Sequence, residues 1–228
     1  SHSAAEGPGA AAERFSGTLA GVRGLLGAPG TTVRLVLTPE AASVAATRRT
    51  TTALALQGCA VDGLVVNRVL PASGDPFLAG WSAAQAEQLA AVRRGAGGLP
   101  VRVQPYRPAE PLGLLALTEL GELLYGDDDP AADPAADDEA LRVRRDGREF
   151  VLSLALPFAG RDLSLARSGD ELVVTLAGTR RLLALPSVLR RCRVVGAALA
   201  DEGTPSAELH VRFVPDLDLW PDALGEQL

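Results

Sequence analysis

Thr31–Pro71 reads TTVRLVLTPEAASVAATRRTTTALALQGCAVDGLVVNRVLP, and the order of its patterns decides the fold. Val33–Leu37 is a β-branched and leucine run of the kind that forms a strand buried on both faces. Thr38-Pro39-Glu40 then opens a helix. Thr38 is suited to cap it, Pro39 fits the first helical position, and Glu40 favours the positive end of the helix dipole. Gly58 is the expected stop. Asp62–Val66 is a second buried strand, with Asn67 at its carboxyl end. Two parallel strands joined by a helix make a right-handed βαβ unit. Open α/β sheets bind ligands at the carboxyl ends of their strands, so Asn67 stands where a side-chain amide can read a ligand.

Working outward, residues 1–12 hold little to bury and are expected to be disordered or a tag remnant. Glu13–Leu26 has Phe15, Leu19, Val22 and Leu26 at helical spacing. Beyond the loop Pro71–Pro76, a helix is expected over Phe77–Val92. Its apolar side carries Phe77, Leu78, Trp81, Leu89 and Val92, interrupted by Gln85 and Gln88. Leu99–Val103 is a third strand, ending at Gln104-Pro105-Tyr106. Leu112–Tyr125 is apolar enough to predict a deeply packed helix. Residues 13–125 thus run β-α-β-α-β-α after the leading helix, half of a doubly wound sheet. A parallel sheet of three strands is thin, and its exposed edge calls for further strands.

Residues 126–139, GDDDPAADPAADDE, read as an acidic linker kept extended by charge repulsion and proline. From residue 140 to 214 the period changes to two. Phe150, Leu152, Leu154 and Leu156 alternate with Val151, Ser153 and Ala155. In the last run Leu209, Val211 and Phe213 point inward, with Glu208, His210 and Arg212 outward. Turn signals recur at Asp146-Gly147, Ser168-Gly169-Asp170, Gly178 and Glu202-Gly203. About seven short strands at this spacing predict an all-β, immunoglobulin-like sandwich. Residues 215–228 form a tail.

The 228 residues are 47% hydrophobic and 22% charged, ordinary globular composition with room for two domains. A net charge of −6 argues against a general nucleic-acid binder. No apolar run reaches the ~18 residues of a membrane span, and no secretory signal is visible. A cytoplasmic protein is expected, with Cys59 and Cys192 as separate buried thiols.

The first domain resembles a known family. TPE after a strand, an arginine-bearing helix and then VDGLVVNRVLP are similar to the C-terminal half of the arsenical-pump (ArsA-type) ATPases and the related tail-anchored-protein targeting ATPases. The segment LALPFAGRDLSLARSGDELVVTLAG resembles the α-crystallin domain of small heat-shock proteins. That module also occurs as an appendage on such ATPases. The implied fold is a partial P-loop-NTPase-like α/β domain followed by an α-crystallin-type sandwich. The resemblance implies an adenine site bordered by Asn67, Pro105 and Tyr106. An amide can pair with the base edge, and a flat Pro or Tyr face can cover the ring.

Phosphate cradling in that family uses a glycine-rich loop with lysine. All 22 basic residues here are arginine, so no such loop exists in this sequence. The chain is therefore expected to be non-catalytic alone, with ATP or ADP and Mg engaged only in a complete ATPase. The expected partners are a second copy in a dimer or the missing ATPase half, with a client protein at the sandwich. The alternative is a self-standing, chaperone-like scaffold on a degenerate half-ATPase. Metalloid binding would need three clustered thiolates, and zinc clustered Cys or His; the sequence offers neither. His210 reads as a solvated strand histidine. A Ser-His-Asp arrangement around it stays open, although no GxSxG elbow is present.

Overall fold

The computed structural model describes residues 8–26, 28, 30–131 and 141–216. The first domain follows the expected order. Helix α1 (Pro8–Leu26) leads into β1 (Thr32–Leu37), α2 (Ala41–Gln57), β2 (Ala60–Val69), α3 (Pro76–Arg94), β3 (Val101–Pro105) and α4 (Gly113–Tyr125). The three strands form one parallel sheet in the order β1-β2-β3. Leu35, Leu37, Leu64, Val66 and Val101 share the face covered by α2 and α3, where Val44, Leu89 and Val92 complete a small core.

The start of α2 differs from the expectation. Thr38 does not cap it. Its hydroxyl donates instead to Glu40 Oε2 at 2.7 Å, and its N–H donates to Ser43 Oγ at 3.1 Å. The side chains thus close the Thr38–Glu40 turn on itself, and the helix begins at Ala41 with Glu40 as an N-cap whose side chain makes no capping hydrogen bond to the helix. At the other end Gly58 stops the helix in the left-handed region, φ 78°.

Two helices depart from expectation in packing. α4 contains no buried residue, and Leu114, Leu115 and Leu117 are exposed. Its C-terminal end is fastened to the sheet. Arg34 Nη1 donates to the Tyr125 hydroxyl at 2.9 Å, and the Arg102 guanidinium lies 4.6 Å from the Tyr125 ring centre while donating to Leu124 O. A sheet of three strands offers too little surface on this face to cover a whole apolar helix. α1 is exposed at Phe15, Leu19, Val22 and Leu26 for the same reason, and Val36 of β1 is also exposed. On α3 the expected apolar side is split: Phe77 and Trp81 are exposed, Val92 is buried, and Gln85, read as an interruption, is buried.

The second domain is a sandwich of β4 (Leu141–Asp146), β5 (Glu149–Ala155), β6 (Leu163–Ser168), β7 (Glu171–Leu176), β8 (Thr179–Ala184), β9 (Cys192–Ala200) and β10 (Glu208–Pro215), with a one-turn helix α5 (Ser187–Arg190). One sheet runs β4-β5-β10-β9, the other β6-β7-β8, and all pairings are antiparallel. The predicted alternation holds on β10, while β5 is buried on both faces, with Val151 and Ser153 covered as well as Leu152 and Leu154; Leu152, Leu154, Leu209, Val211 and Phe213 join Leu172, Val174 and Leu183 in the core. Most of the acidic linker, from 132 on, and the tail from Leu217 lie outside the described residues.

The two domains are docked. Leu56, on α2, is fully buried within the sandwich core. Arg181 of β8 donates to Leu56 O at 2.5 Å, placing a cation at the negative end of α2. Thr52 Oγ1 lies 2.6 Å from Pro157 O, and Arg48 stacks 5.4 Å from the Phe158 ring centre. A Cβ at Gly58 would come 3.0 Å from Arg181 Nη2, a close approach to the end of a flexible side chain, so it is chiefly the positive φ that calls for glycine there. Helices in βαβ units run antiparallel to the strands, so the C-terminus of α2 marks the amino end of the sheet. The sandwich therefore sits opposite the carboxyl ends of the strands.

Candidate functional site

The carboxyl ends of β2 and β3 hold the residues picked out in the sequence. β2 runs past Val66, so Asn67 lies inside the strand and not beyond it. The pairing is regular to Val66↔Val103 and resumes at Val69↔Pro105, leaving Asn67 and Arg68 in a bulge. Arg68 has φ 59°, a left-handed conformation that a non-glycine residue adopts only when its surroundings hold it.

Two side chains hold it. Asn67 Oδ1 accepts from Arg68 N–H at 2.8 Å. From below, buried Gln85 of α3 clamps both sides of the bulge. Its Oε1 accepts from Leu70 N–H at 2.8 Å and its Nε2 donates to Arg68 O at 3.3 Å. Because its carbonyl is engaged, Asn67 offers a ligand its Nδ2, a donor, with no partner among the described residues.

Pro105 ends β3 and is exposed. Tyr106 follows; its N–H donates to Val69 O at 2.8 Å and its ring is 53% exposed, free to cover a flat ligand. Tyr106 lines a shallow cleft of about 370 Å³ together with Leu70, Pro71, Ala72, Leu78 and Pro108. Asn67 and Pro105 are not in its lining but stand on the two strand ends beside it. Asp75 shapes the far wall by capping α3, accepting from Phe77 and Leu78 N–H at 2.9 and 3.0 Å. Gln104, 5% exposed, donates through Nε2 to Pro105 O, while its Oε1 is a buried acceptor without a partner among the described residues.

This arrangement suits a flat, weakly polar group: one amide donor, apolar walls and an aromatic ring. None of the residues lining the cleft is charged. Among the described residues no three His, Cys, Asp or Glu side chains gather as a metal site. The sequence reading missed Gln85. A glutamine on the apolar side of a helix, facing a strand end, was the only signal of it.

Charge at the opposite end of the sheet serves structure. Asp62 accepts from Thr32 Oγ1 at 2.7 Å and from Arg34 Nε and Nη2 at 3.1 and 2.8 Å. Burial alone would raise its pKa, but these bonds to the carboxylate outweigh it and hold the group below the usual carboxylate range.

Comparison with known proteins places both domains. Residues 10–126 match the family described as "Anion-transporting ATPase", and residues 135–213 match the "HSP20-like domain found in ArsA". The Streptomyces coelicolor protein SCO2128 is 41% identical over 214 residues, covering 92% of this chain and 52% of that protein. Proteins named "Putative arsenical pump-driving ATPase" from Prosthecochloris vibrioformis and Chlorobaculum tepidum are 32% and 31% identical, each covering 80% of this chain and 44% of the relative. The chain spans about half the length of the curated relatives it matches. No helix among the described residues is long and apolar enough to cross a membrane.

Proposed function

The chain belongs to the anion-transporting ATPase family, and from that premise we propose that it supplies the adenine side of an ATP site together with a small-heat-shock-like binding module. The phosphate loop and the Mg site come from a complementary ATPase half, on the same polypeptide or on a partner, in the cytoplasm. The observation that carries this reading is the pairing of two features of the α/β domain. Asn67, Pro105 and Tyr106 stand at the carboxyl ends of adjacent strands beside a cleft. Leucines of α4, the apolar side of α1 and Val36 of β1 are exposed around the same thin sheet, as they would be where further strands and helices belong. Asn67 Nδ2 donates to a ring nitrogen of the base, Tyr106 and Pro105 cover its face, and Gln85 keeps the bulge in the shape that presents them.

In this arrangement the sandwich takes no part in ATP hydrolysis, because it is docked at the amino end of the sheet. It is the surface for a client protein or a second copy of the chain. The test is binding of a fluorescent ATP analogue to the protein assembled with a phosphate-loop half, in the native and the Asn67→Ala forms. Loss of one neutral hydrogen bond is expected to weaken binding about 3- to 10-fold, and Tyr106→Ala to weaken it further. Equal affinity in all three forms would refute the adenine assignment and favour a non-enzymatic, chaperone-like scaffold.

A further inference from the structure

The outer face of the four-stranded sheet carries a polar cluster that the nucleotide reading leaves unused. The register sets Arg142 of β4, Ser153 of β5 and His210 of β10 in one row across three strands. Glu208, two residues before His210 on the same strand, shares that face. Ser153 Oγ lies 2.9 Å from His210 Nδ1. His210 Nε2 lies 3.4 Å from Glu208 Oε2, and Arg142 Nη2 donates to Glu208 Oε1 at 3.0 Å. These four residues, with Val143 and Arg144, line a cleft of about 420 Å³.

A solvated strand histidine would show its ring nitrogens to water. Here each nitrogen meets a side chain of a different kind. With the imidazole proton on Nε2 facing Glu208, Nδ1 is an acceptor and takes the hydrogen bond of the Ser153 hydroxyl. That is the order of nucleophile, base and orienting carboxylate, with the carboxylate itself fixed by Arg142. Ser153 is 7% exposed, so competing water at its hydroxyl is limited, yet it still contributes to the wall of the cleft. Arg142 and Arg144, whose guanidinium groups pair with Glu208 and Asp146, line the same cleft and give it a positive side toward the charge that develops on a carbonyl oxygen under attack.

We propose that Ser153 is a nucleophile for acyl transfer from small carboxylic esters, with His210 as its base. Ser153 Oγ forms a bond to the ester carbonyl carbon as its proton passes to His210 Nδ1. The bond from that carbon to the alkoxy oxygen breaks, and the proton passes from Nδ1 to the departing alcohol. Water then attacks the acyl-serine, its proton going to Nδ1 and on to Ser153 Oγ, which leaves as the hydroxyl while the carboxylic acid departs. Glu208 positions the ring and takes no proton. The arginines favour esters that carry a carboxylate. This site lies on the sandwich and does not depend on the ATP-site reading.

The test treats the full chain with diisopropyl fluorophosphate, in which Ser153 Oγ displaces fluoride from phosphorus, and maps the adduct by peptide mass spectrometry. 4-Nitrophenyl acetate hydrolysis is followed in parallel. The expected result is one adduct per chain, on Ser153, and ester hydrolysis that falls about 100-fold in S153A and in H210Q. The adduct is read on the native chain, so the result does not depend on either variant folding. No adduct on Ser153, or an adduct that forms as fast in H210Q, would overturn the proposal.

Discussion

Replacing Leu56 by alanine separates a docked pair of domains from two that merely share a chain. Leu56 belongs in sequence to α2 of the α/β domain but is 0% exposed within the sandwich core. Alanine removes most of that side chain from a core cluster that also holds the fully buried Leu152, Leu156 and Leu189. Leu→Ala changes at such sites cost about 2–5 kcal/mol, through lost burial and the cavity left behind. Helix propensity changes in alanine's favour by only about 0.2 kcal/mol. A loss of about 3 kcal/mol follows, and with a urea slope of about 2 kcal/mol/M the midpoint falls by about 1.5 M. The location of the effect matters more than its size. Amide exchange followed by mass spectrometry should quicken in peptides from β7 and β10, distant in sequence from residue 56, and not only in those from β1 and β2. A midpoint shift below about 0.5 M, or faster exchange confined to the α/β domain, would refute the docking.

Gln85→Leu keeps the side-chain volume but leaves the N–H of Leu70 and the carbonyl of Arg68 without their partner. It should cost about 2 kcal/mol in thermal unfolding, whereas Gln88→Leu, at a half-buried position with no hydrogen bond of this kind, should cost much less. Asp62 has a folded pKa below its unfolded value. Its contribution is therefore complete above about pH 4 and is lost as pH falls through the folded pKa. Asp62→Asn should be less stable than the native chain by about 2 kcal/mol at neutral pH, and acid titration should bring the two together once the pH falls below the folded pKa. Cys192 is 1% exposed, and burial pushes its thiol pKa up, while Cys59 is partly exposed. A disulfide reagent should modify one thiol per chain at neutral pH and reach the second only in urea; two fast thiols would contradict the packing around α5.

Strands buried on both faces and strands buried on one face each have a direct chemical signature. Asp62–Val66 and the alternation of Leu209, Val211 and Phe213 were legible for that reason; Val33–Leu37 was legible as a strand, but Val36 is exposed, so this strand is not buried on both faces. Gly58 was legible as a stop because few residues adopt φ 78° without strain. The leucines of α4 were misread because composition shows that a helix needs cover, not that a neighbour within this chain supplies it. Thr38 was misread because its hydroxyl had a local competitor, the Glu40 carboxylate two residues away. The site was half legible. Asn67, Pro105 and Tyr106 could be placed at strand ends, but the bulge that sets their geometry depends on a left-handed Arg68 held by Gln85 from another element. Neither residue type announces that role. Ser153 and His210 are brought together only by the β5–β10 register, across 57 positions of sequence.

The central claim is that this α/β domain completes an ATP site when its uncovered faces meet a phosphate-loop half. The most direct measurement is ATP turnover after mixing the chain with the N-terminal half of the Prosthecochloris vibrioformis relative, with amide exchange of α1 and α4 recorded on the same sample. The account predicts turnover that is absent from either piece alone and slower exchange in both helices. No turnover, with α1 and α4 exchanging as fast as in the isolated chain, would contradict it.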